Sequence, residues 1–294
     1  MVGTTHYELR GRAAWITLDA PESRNALSGP LLRDLNEALW EADNNSAVHV
    51  IILQGAGRAF SAGYDISVPY TDRTTDGADY RGMRTLDDDA WQLERSQRLR
   101  MALWDMHKPV IAKIHGYCLA GGTDIALLCD IIIAADDCLI GFPPVRAQGG
   151  PPNHMWLYNV GPQWAKRLLM TGDSITGADA ASIGLVLQAV PSDDLDAAVD
   201  ELANKMAMID HESLAAQKRI VNLGLELMGA RTLQRLAAEM DARAHQSPSV
   251  VEFNRISGEQ GLKSALEWRD SKFGDGRAST EYQRRKQAQE ERNR

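Results

Sequence analysis

Two rhythms of apolar residues run along this chain. Short, nearly continuous apolar runs predict buried strands at His49–Leu53, Val110–Ile114, Asp130–Ala135 and Gly184–Val190. A β-rich opening is expected over Tyr7–Leu9 and Ala14–Leu18. Between the strands, apolar residues three and four apart predict helices near Pro30–Asp43, Trp91–Met106, Thr123–Leu128, Pro162–Met170 and Gly177–Ile183. From Ser192 onward the helical period is almost unbroken, through Leu195–Met208, Ser213–Met228 and Thr232–His245. Strand–helix alternation followed by helices alone predicts an α/β core over residues 1–191 and a helical C-terminal lobe over 192–273.

Two stretches fit neither rhythm. Val68–Ala90 is polar, acidic and turn-rich, and is expected to be a lid or a long loop. The tail, residues 274–294, is dense in charge without an apolar face, and a solvated end is expected there.

Composition narrows the classes. With 294 residues, 44% hydrophobic, the chain can bury one large core or two smaller lobes. A net charge of −8 argues against a nucleic-acid partner, which wants a basic face. Three cysteines are too few for a disulfide framework and lack zinc spacing, so a reducing cytoplasm is expected. No stretch reaches the roughly 20 apolar residues of a membrane span. Gly55-Ala56-Gly57 after a strand lacks the third glycine of a dinucleotide fingerprint, there is no G-x-S-x-G elbow, and no metal-spaced cluster stands out.

The chemistry concentrates in two segments of one design. In Lys108–Asp130 an apolar strand runs into His115-Gly116, and Gly121-Gly122 then opens a helix carrying Asp124. In Val50–Ile66 a second strand runs into Ser61-Ala62-Gly63-Tyr64-Asp65. Glycines at such junctions either permit close packing or leave backbone amides free to hold an oxyanion. His115 and Asp65 sit where side chains satisfy local turns.

Phe60–Asp65 and Lys108–Gly122 together resemble the F-S-A-G-x-D loop and the K-P-x-I-A-x-x-x-G-x-x-x-G-G motif of the crotonase (enoyl-CoA hydratase/isomerase) superfamily. The likeness continues through Cys129–Val145 and Leu168–Pro191, so it spans roughly residues 5 to 275 in order. The resemblance implies a spiral core of strand–helix turns, an acyl-CoA thioester as substrate, and no cofactor beyond the coenzyme A of that substrate. It implies an oxyanion hole from the amides of Tyr64 and Gly121, with Ala62, Asp65, Ile66 and Pro144 against the substrate. It also places a basic residue near Arg24 against coenzyme A, and packs the C-terminal helices around a threefold into a trimer or a pair of trimers; Arg58 is the other basic residue near the matched motifs and a candidate for the same ligand, a solvated surface arginine being the alternative for each. Hydratases of the superfamily use two glutamates. The first position is Asp124 here and the second is Pro144, which cannot move a proton, so two-carboxylate hydration is in doubt. His154 is the candidate to stand in. Isomerisation, decarboxylation and C–C bond hydrolysis stay open beside hydration, as does acyl-CoA binding without catalysis.

Overall fold

The computed structural model describes residues 4–66, 85–280, 288, 289 and 292. Strands β1 (Thr4–Arg10) and β2 (Ala13–Asp19) form an antiparallel hairpin, and helix α1 (Gly29–Asn44) follows. β3 (Val50–Gly55), β4 (Val110–Ile114), β6 (Ile131–Ala135) and β9 (Gln188–Val190) then add in parallel, giving a six-stranded sheet in the order β1-β2-β3-β4-β6-β9. Their apolar runs are buried because parallel strands are covered on both faces. In register, Ile52 of β3 lies between Trp15 of β2 and Ile111 of β4.

A second sheet has the order β5-β7-β8, from β5 (Tyr117–Leu119), β7 (Leu139–Gly141) and β8 (Ser174–Thr176). β4 is followed by β5, and β6 by β7, so successive turns of chain give one strand to each sheet. This is the spiral α/β core expected above. Strands of three residues carry too little pattern to be legible in sequence.

Helix α2 (Leu86–Arg100) begins five residues before the expected Trp91. Thr85 caps it, its hydroxyl accepting from Asp88 N at 3.1 Å, and Asp87, Asp88 and Asp89 lie in the first turn, where the dipole favours acids. The acidic end of the Val68–Ala90 stretch is therefore a helix start; residues 67–84 lie outside the described residues. α3 (Ala102–Asp105) and α4 (Gly121–Ala126) follow, the latter two residues ahead of expectation. α5 (Trp156–Leu169) is broken at Gly161, so the expected start at Pro162 marks only its second segment. α6 (Gly177–Ser182) leads to β9, which begins at Gln188 and not at Gly184.

Beyond β9 come α7 (Leu195–Ala207), α8 (His211–Leu227), α9 (Ala230–Ala244), α10 (Pro248–Gln260) and α11 (Leu262–Asp270). α7 packs on β2, β3, β4 and β6, and α9 on α2. The expected solvated tail is corrected at its start: Gly276 O accepts from Ser174 N at 2.8 Å, and Thr280 N and Oγ1 both donate to Asp179 Oδ1 at 2.8 and 2.7 Å. Among the described residues no helix is long and apolar enough to cross a membrane.

Candidate active site

The loop after β3 and the turn after β4 are bound to each other. Phe60 N donates to His115 O, Ser61 N to Tyr117 O, and Leu119 N back to Ser61 O, each at 3.0 Å. Asn25 locks the approach from the other side. It is fully buried; its Oδ1 accepts from Ala20 N at 2.9 Å and its Nδ2 donates to Ala56 O and Ala59 O at 2.9 and 2.8 Å. Ser61 Oγ donates to Asn25 O at 2.8 Å.

These ties press residue 64 against residue 121. A Cβ on Gly63 would lie 2.6 Å from Ala120 Cβ and 3.3 Å from Gly121 N, and a Cβ on Gly121 would lie 2.9 Å from the Tyr64 ring. Both positions therefore require glycine. Ala120 has φ +50°, a conformation strained for a residue with a Cβ, immediately before the Gly121 amide. Neither Tyr64 N nor Gly121 N has an acceptor among the described residues.

Asp124 sits one turn beyond Gly121. It is fully buried, and Tyr64 Oη donates to its Oδ2 at 2.6 Å. Burial pushes the Asp124 carboxyl up to about 7, against the opposing pull of the Arg100 charge and the Tyr64 hydrogen bond; Asp241 adds to the rise. Burial likewise raises the Tyr64 phenol. Asn153 Nδ2 donates to the Asp124 carbonyl at 2.8 Å. The Arg100 guanidinium, 2% exposed, stands 5.3 Å from the centre of the Tyr64 ring. Asp241, also lifted to about 7 by burial, accepts from Gly150 N at 2.8 Å and lies 3.4 Å from His245 Nε2, whose Nδ1 is 2.8 Å from Asp89 Oδ2.

The fold thus joins Tyr64, Gly121 and Asp124. His154 reaches the same cluster less directly: its N–H donates to Gln234 Oε1 at 2.9 Å, and burial lowers its imidazole, while its neighbour Asn153 touches Asp124. Pro144 lies in a 3-10 turn, Pro143–Arg146, and its carbonyl accepts from the N–H groups of Ala147, Gln148 and Gly149 at 3.1, 2.7 and 3.1 Å. Arg146 fixes that turn through Asp173 and Asp270, each at 3.0 Å. Arg24 is exposed and stacks 5.5 Å from the Tyr117 ring, while its carbonyl accepts from Ala62 N at 2.9 Å. Arg58 is exposed; Asp65 and Ile66 are half-buried, Asp65 N donating to Leu27 O at 3.3 Å. His115 is a turn residue, with Nε2 2.9 Å from Gly57 O. Among the described residues no group of His, Cys, Asp and Glu is placed to hold a metal.

Sequence reasoning missed Asn25, Arg100, Asn153, Gln234 and Asp241. Only Asn25 left a signal, because asparagine tolerates the left-handed backbone it adopts at φ +55°. The others reach the cluster from distant helices and loops.

Comparison with known proteins places the chain in a family. Residues 9–276 match the family model described as enoyl-CoA hydratase/isomerase. The fold superposes on the crystal structure of an enoyl-CoA hydratase from Mycobacterium smegmatis with a TM-score of 0.85 at 37% identity, covering 93% of this chain and 95% of that one. An enoyl-CoA hydratase/isomerase from Xanthobacter autotrophicus Py2 superposes with a TM-score of 0.84 at 32% identity over 92% of this chain and 98% of that one. The short-chain-enoyl-CoA hydratase of Clostridium acetobutylicum is 32% identical over 225 residues, 74% of this chain and 81% of its own length.

Proposed function

We propose, from the premise that the chain belongs to the enoyl-CoA hydratase/isomerase family of acyl-CoA-processing enzymes, that it moves a proton at carbon next to the thioester with Asp124 as its one acid–base group. The observation that carries this is the Asp124 carboxyl, buried one turn beyond Gly121, bonded to Tyr64 and lifted to about 7. A group poised near the working pH can both take and return a proton.

The thioester oxygen accepts from the amides of Tyr64 and Gly121. As Asp124 takes a proton from C2 of a 3-enoyl-CoA, charge spreads onto that oxygen, where each amide is worth about 3 kcal/mol. The same carboxyl then delivers the proton to C4 and leaves the 2-enoyl isomer. One proton moves and one group suffices. Adding water across the double bond asks more, since a water must lose a proton while C2 gains one, and position 144 offers proline. Hydration is the second reading, favoured by the activity named for the Mycobacterium smegmatis and Clostridium acetobutylicum proteins. Arg24 and Arg58 are the basic groups for the phosphates of coenzyme A.

Assay of the purified protein with 3-hexenoyl-CoA and with crotonyl-CoA tests this. Isomerisation faster than hydration, with both lost in Asp124→Asn, is the expected result. Hydration far ahead of isomerisation favours the second reading, and binding without turnover of either makes the chain a non-catalytic acyl-CoA binder. Self-association as a trimer or a pair of trimers belongs to the same proposal; α8 leaves Ile220, Val221 and Leu227 61%, 62% and 90% exposed, a face suited to a second copy. A monomer in sedimentation at micromolar concentration contradicts that part.

A further inference from the structure

Buried polar atoms without a hydrogen bond are concentrated in one place. Among the described residues eight side-chain atoms are in this state, and seven belong to Arg100, Asp124, Asn153, His154, Trp156 and Gln234; the eighth is Tyr7 Oη. Five of these six residues are tied together. Asn153 bonds to Asp124, His154 to Gln234, and Arg100 stands over the tyrosine that holds Asp124. Buried polar groups are normally satisfied, so a set of unmet donors and acceptors around a catalytic carboxyl marks the place of a polar ligand.

Arg100 says what kind. It contributes two of the seven atoms, Nε and Nη2, and is 2% exposed. Those two nitrogens form one edge of the guanidinium, whose parallel N–H bonds match the two oxygens of a carboxylate. Neither neighbouring acid fills that edge with a hydrogen bond. Asp124 Oδ2 accepts from Tyr64, and Asp241 Oδ1 accepts from Gly150 N beside His245. Gln234 Nε2 adds an uncharged donor without a partner. A plain hydrocarbon chain would leave all of these donors unmet.

We propose that the acyl group taken here ends in a carboxylate seated on the Nε/Nη2 edge of Arg100, so that the substrate is a short ω-carboxyacyl-CoA. This rests on the acyl-CoA reading above. The chain is short because Arg100 lies against the same Tyr64 ring that holds the reacting carboxyl, leaving few carbons between the two ends. The carboxylate gives the unmet Nε and Nη2 donors two charge-assisted hydrogen bonds, and a methyl end at that position offers none.

Calorimetric binding of two saturated, non-reacting thioesters of equal length, hexanoyl-CoA and 5-carboxypentanoyl-CoA, tests it without requiring turnover. The expected result with the unmodified protein is at least about 10-fold tighter binding of the carboxyl-ended compound, the worth of one charge-assisted hydrogen bond. Arg100→Lys keeps the charge and removes the planar edge, and should bring the two affinities within about threefold. If the unmodified protein binds hexanoyl-CoA as well as or better than the carboxyl-ended compound, the inference fails and the acyl-CoA reading stands; direct pairing of Arg100 with Asp124 would give that result. A preference that survives Arg100→Lys overturns the role of Arg100. Binding of neither thioester fails the acyl-CoA reading, and the inference with it.

Discussion

Tyr64→Phe separates the two roles that this residue combines. The substitution keeps the backbone amide and the ring over Gly121, and deletes the hydroxyl that donates to Asp124 Oδ2 at 2.6 Å. A hydrogen bond to a charged group is worth about 1.5–3 kcal/mol, and about 1.4 kcal/mol corresponds to one pH unit, so its loss should raise the carboxyl by about one to two pH units. Starting from about 7, Asp124 moves to about 8–9. At pH 7 its ionised fraction then falls from about half to between a tenth and a hundredth, and kcat/KM for an enoyl-CoA should drop roughly 5- to 50-fold and recover in alkali. The sign for stability follows from the same numbers. The folded-state value lies above the ordinary 3.8, so the protonated form favours folding; this contribution declines as pH rises from about 4 to about 7, and in Tyr64→Phe the decline continues to about 8–9. The assay is kcat/KM against pH for both proteins, with urea unfolding at matched pH. An inflection near 4 in the unmodified protein, or an unmoved profile in Tyr64→Phe, would refute the reasoning.

Gly121→Ala puts a Cβ 2.9 Å from the Tyr64 ring, and should cost about 1–3 kcal/mol of stability while kcat/KM falls by more than ~100-fold, because the ring must carry its hydroxyl off Asp124; unchanged kinetics in a folded variant contradicts this contact. Asn25→Ala removes three hydrogen bonds, two of them buried, from the turn that precedes the site and leaves an alanine at φ +55°, so urea unfolding should show a loss of about 3 kcal/mol, and a loss under about 1 kcal/mol would mean the turn holds itself. Lys218→Met strands Asp130, which now pairs with Lys218 Nζ at 2.9 Å and whose carboxyl burial pushes upward, so the expected destabilisation of about 3–5 kcal/mol should shrink as pH falls and the orphaned carboxyl takes up a proton; the reverse pH trend contradicts it.

How much of this was legible in sequence depended on length and locality. β3, β4 and β6 read clearly because each is a run of five or six residues buried on both faces. β5, β7 and β8, three residues each, did not, although β5 is the strand that clasps Ser61 and so aims the site. Gly63 and Gly121 stood out as glycines, but their reason, each other's proximity, spans almost sixty residues of chain. Asp124 was legible as a carboxylate beside a glycine turn; its bond to Tyr64 was not, since a tyrosine in a loop is equally a packing residue until its hydroxyl finds a partner. Arg100 lay at the end of a helix whose pattern said only that it was helical. The charged tail misled for a related reason: Thr280 is buried by two hydrogen bonds to one aspartate, which composition does not encode.

The central claim is that Asp124 moves a proton at the carbon beside a thioester held by the amides of Tyr64 and Gly121. Its most direct test is the exchange of deuterium out of C2 of 2,2-dideuterio-3-hexenoyl-CoA, whether to C4 of the product or to solvent, followed by NMR with the unmodified protein and with Asp124→Asn. The account predicts catalysed exchange in the first and its loss, by ~1000-fold or more, in the second. Exchange that is absent from the unmodified protein, or that persists at full rate in Asp124→Asn, would contradict it.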